Sequence, residues 1–246
     1  MNGKLTLDTI KKLLLNNGLL LLAYLAVVTV TTFATINGNV LPRSVREVLE
    51  LSSTVLYALC AASIVISLYK TFVSDLLLGK SYKYYSLPYK KSEIIFSKTI
   101  PAIIIESLIA ALLFSGYLLI NLMVALFFEE EYYTAVYGNI ILIEWPLRSF
   151  DSFVSCFMTA VTIGFLILLA LVVSRSFDPS KTFRNLLIVI VIEVLVNYIV
   201  YTVAMIFSRY YPEIFMSTVL VIVMIAEIIC SVIASKRLAD KRFNVA

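Results

Sequence analysis

Glu106, Glu193 and Glu227 each interrupt a long apolar run, and no Lys or Arg lies inside any of those three runs. At helical rise each carboxylate sits about 6 to 11 Å in from the end of its run that is flanked by basic residues. A charge at the centre of a membrane helix costs about 2.5 to 3.5 kcal/mol even on a lenient insertion scale, so these groups are expected to face protein or water. Helical spacing extends each into a polar stripe. Glu193, Asn197 and Tyr201 fall at i, i+4 and i+8. Glu106 shares a face with Tyr117 and Asn121, and Glu227 aligns with Ser231. Two chemistries fit. The stripes line a pathway for a cationic or amphipathic substrate, with Glu106, Asn121, Glu193, Asn197 and Glu227 as the candidate residues. Alternatively, the glutamates are neutral and hydrogen-bond between helices. Proton coupling is a third possibility, without a basic or histidine relay partner to support it.

Other chemistries are excluded by residue type. The chain has no histidine, which removes Ser-His-Asp triads, Cys-His pairs and histidine metal sites. No metal site is expected. Cys60, Cys156 and Cys230 lie in three different apolar runs without CxxC spacing, so packed or lipid-buried thiols are expected and no disulfide framework. No Gly-rich phosphate loop occurs, and the net charge of +4 comes from short loops beside apolar runs. Nucleic acid is therefore not an expected partner.

The elements that position the carboxylates follow from composition. Of 246 residues, 61% are hydrophobic and 15% charged, whereas a soluble domain has about 45 to 50% apolar and about 25% charged residues. The chain reads as an all-α, polytopic membrane protein, a single transmembrane domain over 1–246. Runs of about 20 apolar residues cross a hydrocarbon core about 30 Å thick, and only helices satisfy their own backbone there. Six runs qualify, at 19–36, 51–73, 102–128, 153–173, 186–207 and 214–234. Sixteen Lys and Arg fall at one set of ends and only Arg43, Arg46, Arg148 and Arg209 at the other, placing both termini in the cytoplasm. Tyr132, Tyr133, Tyr137, Trp145, Tyr210 and Tyr211 fall at the opposite, outer interface.

Two further segments have an amphipathic pattern. In 1–17, Leu5, Leu7, Ile10, Leu13 and Leu14 recur near helical spacing beside Lys4, Asp8, Lys11 and Lys12. This reads as an interfacial helix on the inner leaflet, the alternative being an inward extension of the first span. Between spans two and three, 82–98 reads YKYYSLPYKKSEIIFSK. Pro88 disfavours helix at Leu87, Ser92 is placed to cap a following turn, and Ile94, Ile95 and Phe96 form a short apolar face among lysines. A short helix at the membrane surface is expected.

Leu87-Pro88, the basic residues, Ser92, Ile94-Ile95 and Lys98, set between spans two and three of a six-span chain, resemble the coupling-helix loop of ABC type-2 exporter permeases. That resemblance implies a bacterial, inner-membrane transport subunit that is not itself an enzyme. It implies docking onto a separate ABC ATP-binding subunit, which would hold ATP and Mg while this chain binds no cofactor. Tyr85, Leu87, Tyr89, Glu93, Ile94 and Phe96 would be the contact residues. The segment 175–184 corresponds in place to the family's smaller intracellular contact. A second permease copy or paralogue would complete the pathway as a dimer, and the substrate class extends to amphipathic peptides such as phenol-soluble modulins or bacteriocins. The chain departs from the family pattern in having almost nothing between spans five and six and a larger external loop, 129–148, between spans three and four. The alternatives are a six-span substrate-binding component of a small-molecule importer and a noncatalytic membrane anchor or regulator.

Overall fold

The computed structural model describes residues 3–36, 42–74, 90–127, 144–177 and 213–242, and scattered helical positions between 184 and 206. All regular structure among the described residues is helical. Helix α1 (Gly3–Leu13) passes through a π-helical turn (Leu14–Gly18) into α2 (Leu19–Ile36). Helix α3 (Arg43–Tyr69) ends in a second π-helical turn, Lys70–Ser74. Helices α4 (Lys91–Phe127), α5 (Glu144–Phe177) and α6 (Glu213–Arg242) follow.

Among the described residues, four segments are long and apolar enough to cross a membrane: Gly3–Thr32, Arg43–Val73, Lys91–Gly116 and Ser152–Ser174. They carry the first four expected spans. The expected fifth, 186–207, has only scattered described positions, all helical, and the expected sixth lies within α6. Large apolar side chains such as Leu22, Val55, Val65 and Phe114 stand more than half exposed, as lipid-facing residues of a membrane helix do.

The amphipathic stretch expected at 1–17 runs on into the first expected span, since Gly3–Ile36 is helical throughout. Asn16, Asn17 and Gly18 are weak helix formers, yet here they widen one turn without breaking the helix. Of the short surface helix expected in 82–98, residues 82–89 lie outside the described residues, and Ser92 to Lys98 are the opening turns of the 37-residue α4. All six residues from Ile94 to Thr99 are buried. A helix buried on every side is packed within protein and does not lie on a surface.

The chain divides into two compact units. One comprises Met1–Thr9, Tyr69–Ile104 and Met158–Ala246; the other comprises Ile10–Leu68 and Ile105–Phe157. In the first unit, small hydroxyl residues dominate the buried polar positions, with Ser92, Ser97, Thr99, Ser174 and Ser235 all at 2% exposure or less. Small residues let helices approach closely where apolar association gives no advantage over lipid. Gly164 of α5 shows the same device: a Cβ there would lie 2.7 Å from Ile103 Cγ2 and 3.3 Å from Ile103 Cβ. Ile103 is 1% exposed and β-branched, so it has little freedom to yield. Gly164→Ala is expected to destabilise the protein by about 1 to 3 kcal/mol through overpacking, measured as a lowered unfolding midpoint in detergent. Gly3→Ala, in open space, is the matched control.

In the second unit, Leu21, Tyr24 and Val28 of α2 pack with Cys60 of α3 and with Ile109 and Leu113 of α4. Tyr57 makes edge contacts with Tyr24 and Phe114, at centroid separations of 6.0 and 6.2 Å. Cys60 is buried, Cys156 half-buried and Cys230 exposed, and all three are free thiols.

Candidate functional site

The α2, α3 and α4 stripes that build this apolar cluster also carry polar residues. Asn17 lies four residues before Leu21, Ser63 and Ser67 lie three and seven residues after Cys60, and Glu106 lies three residues before Ile109. These intervals return each polar side chain to the core-facing side of its helix. The π turn brings Asn17 inward, where it is 2% exposed, while Asn16 is exposed. Such wide turns within α-helices recur at functional positions.

Asn17 is the hub of the cluster. Its Nδ2 donates to Glu106 Oε1 at 2.6 Å and to Ser67 Oγ at 3.1 Å, and its Oδ1 accepts from the Ser63 hydroxyl. Both amide hydrogens are thereby used, and three elements are tied together by one side chain. Ser63 stands out against the other hydroxyls of the spans. Those of Thr29, Thr31, Thr32, Ser115 and Thr162 donate to the carbonyl four residues back, at 2.6 to 2.9 Å, the usual way to satisfy a hydroxyl where water is absent. Ser63 instead donates across to Asn17.

Glu106 is 2% exposed, and its second oxygen, Oε2, is buried with no hydrogen-bond partner among the described residues. A buried acceptor or donor left unsatisfied costs about 1 to 3 kcal/mol, and an unpaired charge costs far more. Native interiors keep few such orphans, and each calls for an explanation.

Of the expected pathway residues, Glu106 is therefore enclosed between helices among the described residues. It is joined to residues that the polar-stripe reading passed over. Glu227 is half-buried on α6 in the other unit, near the buried Ser231 and Ser235 of its own helix. Asn121 lies on α4; Glu193 and Asn197 are outside the described residues. Of the expected docking residues, Tyr85, Leu87 and Tyr89 are also outside them. Glu93 is half-buried on the first turn of α4, and Ile94 and Phe96 are 1% and 8% exposed. The last two are packed within this protein.

Asn17, Ser63 and Ser67 left a signal in the sequence. The Asn-Asn-Gly triplet interrupts an otherwise continuous helical pattern, and the two serines stand four apart in an apolar run. Among the described residues no group of three or more Cys, Asp or Glu is placed to hold a metal ion.

Helices long enough to span a bilayer, exposed apolar faces and a polar cluster sealed between three elements define an all-helical membrane protein. No family model, no curated protein and no solved structure matches this chain.

Proposed function

We propose that this chain is the transmembrane subunit of an ATP-driven exporter in the inner membrane, working as a dimer with a separate ATP-binding subunit. The observation that carries the reading is the continuity of α4. One helix leads from the basic segment at Lys90 and Lys91 to Glu106, a distance of about 22 Å at helical rise. A push on residues 82–98 by an ATP-driven partner would reach the Asn17–Glu106 contact along a single rod. Pro101 lies on that rod and cannot donate to the Ser97 carbonyl, while the Thr99 hydroxyl back-bonds to the Ile95 carbonyl at 2.9 Å. Both features favour bending within that stretch. A cationic or amphipathic peptide is the proposed substrate class, with Glu227 and Glu193 as pathway groups.

One observation favours a different reading. Asn17, Ser63, Ser67 and Glu106 together resemble interhelical glue, as a noncatalytic membrane anchor would require.

Capture of this chain from its native membranes, with identification of any co-purifying ATP-binding protein, separates the two. The exporter reading expects a stable complex and ATP hydrolysis that responds to substrate. Leu87→Asp is expected to reduce ATPase recovery at least about tenfold, equivalent to about 1.4 kcal/mol of binding, with the permease still monodisperse. Ile94 is a poor probe because its substitution disturbs this protein's own core. Recovery of the permease without any ATPase overturns the proposal.

A further inference from the structure

We infer that Glu106 is a proton-binding site: in the packed state it holds one proton on Oε2, which is released to water when Asn17 is drawn away from α4. The inference rests on geometry and does not depend on the exporter reading. Oε1 already accepts from Asn17 at 2.6 Å, and Oε2 is buried without a partner. An ionised carboxyl group would leave charge on an orphaned oxygen inside an apolar cluster, whereas the neutral acid leaves only one unmatched hydroxyl.

The groups bonded to Glu106 and packed beside it carry no positive charge. The π turn contributes the neutral Asn17, and α3 contributes the neutral Ser63 and Ser67. The titratable Tyr24, Tyr57 and Cys60 belong to the adjoining apolar cluster. Lys11 and Lys12 on α1 and Lys70 after α3 are exposed. Lys98, two turns earlier on α4, is buried in the other unit. Parting Asn17 from Glu106 admits water to Oε2, stabilises the carboxylate and frees the proton. Helix separation and deprotonation are thus one event seen from two sides, and alkaline conditions favour the separated form.

The neutral acid is the form that the packed site accommodates, so the packing at Glu106 is expected to weaken as pH is raised. Glu106→Gln mimics the neutral acid, with an oxygen for Asn17 and an N–H in place of the acid O–H. Two measurements on the full chain in lipid nanodiscs test the inference. At neutral pH, the infrared spectrum of the wild type minus that of Glu106→Gln is expected to show a protonated-carboxyl stretch that disappears at alkaline pH. On alkalinisation the unfolding midpoint of the wild type is expected to fall about 3 °C or more relative to Glu106→Gln. A neutral-pH difference spectrum showing only carboxylate, or parallel pH profiles of stability, overturns the inference. If the Gln variant does not fold, Glu106→Asp replaces it, with the acid band expected to shift in frequency instead of vanishing; no acid band to shift is then the overturning result.

Discussion

Asn17→Ala is expected to destabilise the protein by about 1 to 3 kcal/mol, and Asn17→Ala combined with Glu106→Leu to recover most of that loss. The single change removes the donor to Glu106 Oε1, leaving both carboxyl oxygens buried without partners. Ser63 and Ser67 lose their partner as well, but each can turn its hydroxyl to the carbonyl four residues earlier, as most hydroxyls in these spans already do. The carboxyl group has no such recourse, so the cost concentrates there. Interhelical hydrogen bonds in membranes average only about 0.6 kcal/mol because the separated helices find other partners. A larger loss therefore reports orphaning, not the bond itself. Replacing both partners by apolar groups removes the orphan, which is why the double variant is expected to be close to neutral. Unfolding in a mixed detergent titration measures all three variants. A double variant as unstable as the sum of its single changes would show that the pair is not coupled. A stable double variant that has lost transport would separate a functional role from a structural one.

The second large effect is expected at the start of α4. Ile95→Ala and Ile94→Ala should each destabilise the protein by about 2 to 5 kcal/mol through the cavity left behind, because these side chains are 0% and 1% exposed. Ile104→Ala, on the same helix but 46% exposed, is expected to cost less than about 1 kcal/mol, since no cavity forms where a side chain faces lipid. The three substitutions remove the same atoms from one helix, so helix propensity cancels and burial alone ranks them. Thermal unfolding of the purified variants reads that rank. Equal effects at Ile94 and Ile104 would show that the head of α4 lies open, as the surface-helix expectation had it.

The helical class and the positions of four apolar spans were legible in the sequence because both depend on local composition. A run of about 20 apolar residues has few alternatives to a membrane helix, and such a run can be counted one residue at a time. Glu106 was legible for the same reason, as a carboxyl group in a run with no cation. Its partners were not. Asn17 sat at the assumed break between an interfacial helix and the first span, and Ser63 and Ser67 passed for ordinary hydroxyls in an apolar run. The docking face expected at Ile94 and Phe96 was a sound reading of local pattern. An apolar patch among lysines has the same sequence signature whether it covers a membrane surface or fills the inside of a bundle.

By itself, then, the sequence determined that this protein is helical, apolar enough for a membrane and marked by scarce carboxyl groups within apolar runs, because hydropathy and helical periodicity act over a few turns. Only the tertiary structure decided what Glu106 meets. Asn17 and Glu106 are 89 residues apart in the chain and 2.6 Å apart in space. Their meeting depends on a single widened turn that directs Asn17 inward and on α3 and α4 packing beside it. Contacts of that separation are set by how helices settle against one another, which no local pattern encodes.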